Sequence, residues 1–403
     1  MKPEILAPAG DRECFDAALR FGADAVYLAG TQFGMRTAPA NFTQDQLRQA
    51  VADAHRQGVK VYVACNVLPR GEQLRALPAF LEELDDMGAD AVIAADLGVM
   101  ALVRRYAPHT ALHASTQVGI VNGETARVLA DLGAARAILA RELSLEEIAA
   151  IRAEAPPEIE LEAFVHGAMC VSYSARCLLS AYFTGRHADQ GDCAQPCRWE
   201  YRLTEVNRPD QPLTVRQTEE GTFLLNAQDL CMLDHLPALC QAGVTACKIE
   251  GRAKAAYYVA CMTQAYRMAA DGYAASGFSA GYRVPAWLLA EADKVSHRPY
   301  GTGFYFGPPQ QTTDHGGYIR RYTVAAVVEG YADGCLLATQ RNRFFAGCTL
   351  DALIPGRPPR SIPVPALFDG EGNPIPSAPH PMMRLRIPCP EPLPVGSVLW
   401  LAL

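Results

Sequence analysis

The sequence predicts an α/β protein: a (β/α)8 TIM-like barrel with a Cys-rich insertion after its seventh strand, followed by a small all-β module. Three observations predict it. Short apolar runs alternate with longer amphipathic stretches from residue 1 to about 270, the mark of βα units around a parallel sheet. Several of those runs follow a Gly-Ala or Gly-Val pair, as in Gly22-Ala23, Gly58-Val59, Gly88-Ala89, Gly133-Ala134 and Gly243-Val244, where glycine ends the preceding helix. After about Ser296 the helical period gives way to Gly/Pro-rich sequence with β character.

The expected barrel strands, in order, are Ile5 to Ala7, Ala25 to Leu28, Val61 to Ala64, Ala91 to Ala94, Ala111 to Ala114, Ala137 to Ala140, Leu161 to Val165 and Ala246 to Ile249. Eight units in about 250 residues suit a closed barrel better than an open doubly wound sheet. For the last strand, Phe223-Leu224-Leu225 competes with the Lys248 segment. Between the seventh and eighth strands, Gly167 to about Asp229 is far longer than the usual βα loop. The β-rich tail offers strands at Tyr322 to Glu329, Cys335 to Thr339, Ser361 to Phe368, Met383 to Ile387 and Ser397 to Leu401. The expected organisation is therefore a barrel over 1–296 with its insertion at about 167–229, a linker over 297–316, and a β module over 317–403.

Composition narrows the class. The 403 residues are 50% hydrophobic and 20% charged, with 36 Lys+Arg against 43 Asp+Glu for a net charge of −7, which excludes a disordered chain and a uniformly basic nucleic-acid coat. Residues 317–403 carry 8 basic and 6 acidic side chains, and the preceding 316 carry 28 against 37. Any contact with a nucleic acid such as RNA would have to rest on local groups such as Arg198, Arg252, Lys254 and Arg298. The N-terminal sequence lacks the apolar stretch of a signal peptide and no run of 18 apolar residues occurs, so the expectation is a cytoplasmic, reducing setting with no membrane association. There, the 13 cysteines are better read as ligands or packing groups than as disulfides.

Four of them fall within the insertion. Cys170, Cys177, Cys193 and Cys197 have the spacing C-x6-C-x15-C-x3-C. Four thiolates from one segment suit a [4Fe-4S] cluster or a tetrahedral zinc; the long gaps do not fit the usual paired knuckles of a zinc ribbon, and free thiols are the bland alternative. Cys231 is held in reserve as a ligand. A segment leaving the seventh strand emerges where barrel enzymes build their active sites.

Polar residues at other strand ends point to the same face. Asn66, Asp96, Gln117, Arg141 with Glu142, and His166 follow the third to seventh strands, and the eighth runs into Glu250, Arg252 and Lys254. Lys248 and Glu250 alternate along that strand and so share a face, as a candidate buried ion pair. Arg252 and Lys254 suit a carboxylate or phosphate. His166 is a candidate general acid/base, and Arg298, in Ser296-His297-Arg298, a second basic contact. No HExxH zinc motif occurs.

The motifs together resemble peptidase family U32, the collagenase-like proteins. The resemblance rests on Leu6-Ala7-Pro8-Ala9-Gly10, Ala25-Val26-Tyr27-Leu28, Asn41-Phe42-Thr43, Ser115-Thr116-Gln117, Arg141-Glu142-Leu143-Ser144, the stretch Glu162 to Cys170, Cys193-Ala194-Gln195-Pro196-Cys197-Arg198-Trp199, Lys248-Ile249-Glu250-Gly251-Arg252 and Ser296-His297-Arg298. It implies an iron-sulfur-dependent, oxygen-independent hydroxylase of RNA, forming 5-hydroxyuridine at the tRNA wobble position or modifying a cytidine of 23S rRNA. It further implies a small anionic oxygen donor such as prephenate and a second family subunit as partner. By motif, Cys170, Cys177, Cys193 and Cys197 take the cluster positions. His166, Glu250 and Arg252 become the catalytic candidates, with Asn66, Gln117, Arg141, Lys248, Lys254 and Arg298 binding substrate. A U32-type peptidase and a hydroxylase of quinone precursors are the alternatives. Ala227-Gln228-Asp229-Leu230 and Asp189-Gln190-Gly191 depart from many relatives, and each lacks a positive charge found there.

Overall fold

The computed structural model describes residues 1–34, 40–170, 172–173, 177–186, 193–199, 217–218, 221–222, 227–309 and 317–403. Eight strands, β1 (Glu4–Pro8), β2 (Ala25–Leu28), β3 (Lys60–Cys65), β4 (Ala91–Ala94), β5 (Ala111–Ala114), β6 (Ala134–Ile138), β7 (Glu160–Ala168) and β8 (Ala246–Ile249), pair in parallel, each with the next. The last also pairs with β1, Ile5 opposite Cys247, so the barrel closes. Helices α1 (Arg12–Arg20), α2 (Gln44–His55), α3 (Glu72–Asp86), α4 (Leu97–Tyr106), α5 (Gly123–Asp131), α6 (Leu145–Glu154), α7 (Leu236–Gln241) and α8 (Ala256–Ala275) follow the successive strands.

Local sequence explains where the helices begin. Asp11 accepts from the Cys14 amide at 2.8 Å, while Thr43 with Gln46 and Ser144 with Glu147 form reciprocal capping boxes. Asp96 does the same for α4, accepting from Val99 at 3.0 Å, which gives this strand-end carboxylate a structural use.

Strand β6 starts three residues before the expected one. Arg136 is the reason: a charged residue in mid-strand argues against burial, yet it is 2% exposed because its guanidinium reaches Glu4 at 2.7 Å, Glu160 at 2.5 Å and Glu162 at 3.0 Å. The Lys248 segment is the eighth strand; Phe223-Leu224-Leu225 lies outside the described residues. Two short strands absent from the sequence reading extend the sheet beside the end of β7. Asp229–Cys231 runs antiparallel to it, with Cys231 opposite His166, and Tyr300–Gly301 pairs with Asp229–Cys231.

The C-terminal sheet has seven antiparallel strands, β9 (Tyr322–Ala332), β10 (Cys335–Gln340), β11 (Thr349–Leu353), β12 (Arg360–Pro363), β13 (Phe368–Asp369), β14 (Arg384–Pro388) and β15 (Val398–Ala402), in the order β12-β11-β15-β9-β10-β14-β13. The run expected over Ser361 to Phe368 is two separate strands, since Pro363 and Pro365 cannot donate to a ladder. Strand β11 was not expected. The sheet encloses its own core around Val328, Leu336, Phe344 and Ile387. It docks on α8, where Gln264 donates to the Arg357 carbonyl at 3.2 Å and accepts from the Gly356 amide at 2.9 Å, and where the Arg341 guanidinium donates to the Tyr257 hydroxyl.

Candidate active site

A cavity of about 150 Å³ opens at the C-terminal ends of the barrel strands. It is built as the fold dictates, from side chains at the ends of several strands: Tyr27 from β2, Asn66 after β3, Ser115 and Gln117 after β5, Arg141 after β6, Phe164 from β7, and Lys248, Glu250 and Arg252 from β8 and its exit. The insertion contributes Cys170, just beyond β7, with Cys177, Cys193 and Cys197, so all four clustered cysteines line one cavity. Cys170 is exposed and the other three are half-buried. Among the described residues no three His, Cys, Asp or Glu groups already stand at metal-binding spacing.

Beneath the thiols the lining is cationic. Lys248, 4% exposed, has its ammonium 4.4 Å from the Tyr27 ring centre and 2.8 Å from Glu162 Oε1. Glu162 is fully buried, and its other oxygen takes Arg136. The expected Lys248–Glu250 pair is therefore not formed: Lys248 points down to Glu162, while the Glu250 carboxylate receives the Tyr27 hydroxyl at 3.4 Å. Glu162 is the main residue missed by sequence reasoning. The signal was available, since Glu162 alternates with Phe164 along β7, and Phe164 stands opposite Lys248.

Arg141 donates to the Ala168 carbonyl at 3.2 Å and stacks on Phe164 at 5.5 Å. Burial works against its charge, but Cys170, Glu250 and Glu142 outweigh this and raise its pKa. Arg252 is buried and donates to the Asn41 side chain. Asn66 donates to Gln117 Oε1 at 2.7 Å, which fixes two neutral polar groups on the opposite wall.

Three expected site residues lie elsewhere. His166 does not line the cavity: β7 carries one extra residue there, since Lys248 opposes Phe164 while the next residue, Ile249, opposes His166. A one-residue slip turns the side chain to the other face. It sits instead among Tyr258, Tyr266 and Tyr300, with both ring nitrogens 3.4 Å from tyrosine hydroxyls. Burial lowers its pKa to about 3, so the ring is neutral near pH 7 and unsuited to acid/base work. Arg298 is 2% exposed and holds Asp229 at 2.9 and 2.7 Å, which removes it as a surface contact. Lys254 lies over Tyr258 and Tyr318 near the Ser296 carbonyl, away from the cavity wall. The Arg198 side chain is outside the described residues. Cys231 lines a separate cavity with Asp234 and Leu289, apart from the four thiols.

Fold and site together define a barrel protein of the enzyme-building kind, with thiols around the mouth and cations beneath them. The chain belongs to peptidase family U32, whose model matches residues 10–315, and the family's C-terminal domain matches residues 320–399. It is 32% identical over 390 residues, 96% of this chain and 91% of the relative, to tRNA hydroxylation protein P1 of Bacillus subtilis (strain 168). To tRNA hydroxylation protein P of Escherichia coli (strain K12) it is 32% identical over 442 residues, covering 99% of this chain and 96% of that one. The 23S rRNA 5-hydroxycytidine C2501 synthase of the same E. coli strain is 37% identical over 312 residues, 75% of this chain and 45% of that protein.

Proposed function

We propose that this protein is an RNA hydroxylase that forms 5-hydroxyuridine at the wobble position of tRNA. The observation that carries the reading is the convergence of Cys170, Cys177, Cys193 and Cys197 on one cationic barrel mouth, in a chain similar along almost its whole length to proteins named for tRNA hydroxylation. Four thiols lining one cavity are, in kind, the donors that a [4Fe-4S] cluster takes. Those four residues would hold it, and the bound cluster supplies redox or Lewis-acid chemistry at the mouth.

The remaining side chains have definable tasks. Arg141, Lys248 and Arg252 receive the charge of a small anionic oxygen donor such as prephenate, with Glu162 beneath Lys248. Asn66 and Gln117 offer amide edges suited to hydrogen-bonding a pyrimidine, and Tyr27 and Phe164 supply aromatic walls. A base enters such a pocket only when it is unstacked, as in an anticodon loop. A reaction of this kind belongs in the cytoplasm, and a second family subunit is a proposed partner.

The peptidase alternative wants a thiolate beside a histidine base. His166 lies in its tyrosine cage and lines neither of the cavities that Cys170 lines, which favours the hydroxylase.

Nucleoside mass spectrometry of tRNA and rRNA from a deletion strain tests the function. Loss of a 5-hydroxypyrimidine supports it, and unchanged profiles in both RNAs refute it. Anaerobically purified protein should contain about four iron and four sulfide per chain; zinc alone would remove the cluster.

A further inference from the structure

The barrel mouth has a neighbour on the C-terminal module. Glu13 and Tyr257 lie in the first turns of α1 and α8, which leave β1 and β8 at the mouth end. Arg341 reaches both, donating to the Tyr257 hydroxyl and standing 3.8 Å from Glu13. The edge of the module that follows β10 is thereby fixed beside the opening.

That edge is basic and apolar at once. Phe345 is 53% exposed, and the Arg343 guanidinium lies 4.9 Å from its ring centre. Met382 is 61% exposed at φ +61°, a backbone region that a long side chain rarely occupies, and its sulfur touches Arg341. Arg384 is exposed on β14, opposite Thr339 of β10. Among the described residues neither Arg343 nor Arg384 has an acidic partner; Arg341 is the member of the group that is paired, with Glu13. One guanidinium against an exposed aromatic ring, with a second on the strand beside β10 that leads into it, matches the two demands of a single-stranded polynucleotide, charge for its phosphates and a face for its bases. The module is also the part of the chain with a positive balance, 8 basic against 6 acidic residues.

We propose that Arg343, Phe345 and Arg384 form a docking surface for single-stranded RNA, holding the strand that flanks the nucleotide in the barrel mouth. The two arginines take phosphates and Phe345 stacks a base. This rests on the RNA reading of the mouth.

The test is RNA affinity of the full chain by filter binding from about 0.1 to 1 M KCl, using bulk tRNA from a deletion strain as probe. Each phosphate contact on a single strand contributes about 0.7 to the slope of log K against log salt. Arg343→Ala and Arg384→Ala should each flatten the slope by about 0.7, which is about fivefold weaker binding at 0.1 M salt that converges on wild type near 1 M. Phe345→Ala should weaken binding roughly tenfold with the slope unchanged. All three sites are on the surface, so melting curves should overlay the wild type. Wild-type slopes and affinities in the variants would overturn the proposal. So would wild-type RNA binding accompanied by a changed oligomeric state, which would make the patch a protein contact. If the wild type itself binds no tRNA or rRNA, the RNA reading of the mouth fails first.

Discussion

Replacing Glu162 with Gln should be among the most damaging single changes in the barrel that leaves shape almost intact. The carboxylate is fully buried and divides its oxygens between Lys248 at 2.8 Å and Arg136 at 3.0 Å. Both cations are themselves almost fully buried. An amide keeps the volume but offers one acceptor and no charge, so Lys248 loses the one ion-pair partner it has among the described residues while remaining enclosed. Breaking a buried pair by removing one member costs about 3–5 kcal/mol, because the surviving charge is left uncompensated. At about 2 °C per kcal/mol for a body of this size, the apparent melting temperature should fall by about 6–10 °C. Circular dichroism at 222 nm on the full chain measures it. Lys248→Met in the same background should recover part of the loss, since it removes the stranded cation and its demand for a partner. A Glu162→Gln variant melting within about 2 °C of wild type would show that the pair is not a structural element, and the account of the barrel floor would fall with it.

Gly167→Ala should damage the mouth from the other side: at φ +109° an added Cβ would meet the Glu250 carbonyl oxygen at 2.4 Å and Tyr258 Oη at 3.1 Å, so a strongly reduced turnover is expected, and wild-type turnover would contradict the close approach. His166 predicts a pH dependence. Its folded pKa of about 3 lies below the unfolded value of about 6.5, so the unfolded chain binds more protons between them; stability is intact above about pH 6.5 and declines as pH falls toward 3, by several kcal/mol. Urea titrations from pH 4 to 7.5 should show that slope and show it reduced in His166→Phe; equal slopes would refute the assignment. Ser at Cys170, Cys177, Cys193 or Cys197 should abolish bound iron, whereas Cys231→Ser should retain it, because Cys231 lines a different cavity; iron analysis after anaerobic purification decides. Asp229→Asn should destabilise the fold by removing the buried carboxylate that Arg298 holds, read as a lower urea midpoint, and an unchanged midpoint would count against the pair.

The barrel was legible because its signals are local. Apolar runs and the caps at Thr43 and Ser144 are written in consecutive residues, and seven strands fall where the runs place them. Failures came where a distant partner changes what a residue can tolerate. Arg136 reads as a strand breaker until Glu4 and Glu162 surround it, and Arg298 reads as a surface cation until Asp229, 69 positions away, takes it inside. His166 was misplaced by a single inserted residue in β7, which inverts alternation without altering composition. The cysteines were found by clustering, but that they line the same cavity as Lys248 and Arg252 is a fact about closure of the barrel.

Closure also resolves how a chain with a net charge of −7 can be matched to a polyanion. Exposed charges are screened beyond about 8–10 Å at physiological salt, so an approaching strand responds to what lies within that radius rather than to the total. Among the described residues, and apart from the four thiols, the charged side chains lining the cavity are Arg141, Lys248 and Arg252 against Glu250, in a concave, partly desolvated space where attraction is strengthened. Glu162 offsets Lys248 from below while shared with Arg136, so Arg141 and Arg252 are the cations the cavity presents against Glu250. The acidic surplus of the barrel can then sit on its outer helices without repelling a ligand at the mouth. Affinity for RNA should accordingly fall steeply with salt although the protein is acidic, and a salt-independent affinity would mean that the mouth cations do not meet phosphate or carboxylate at all.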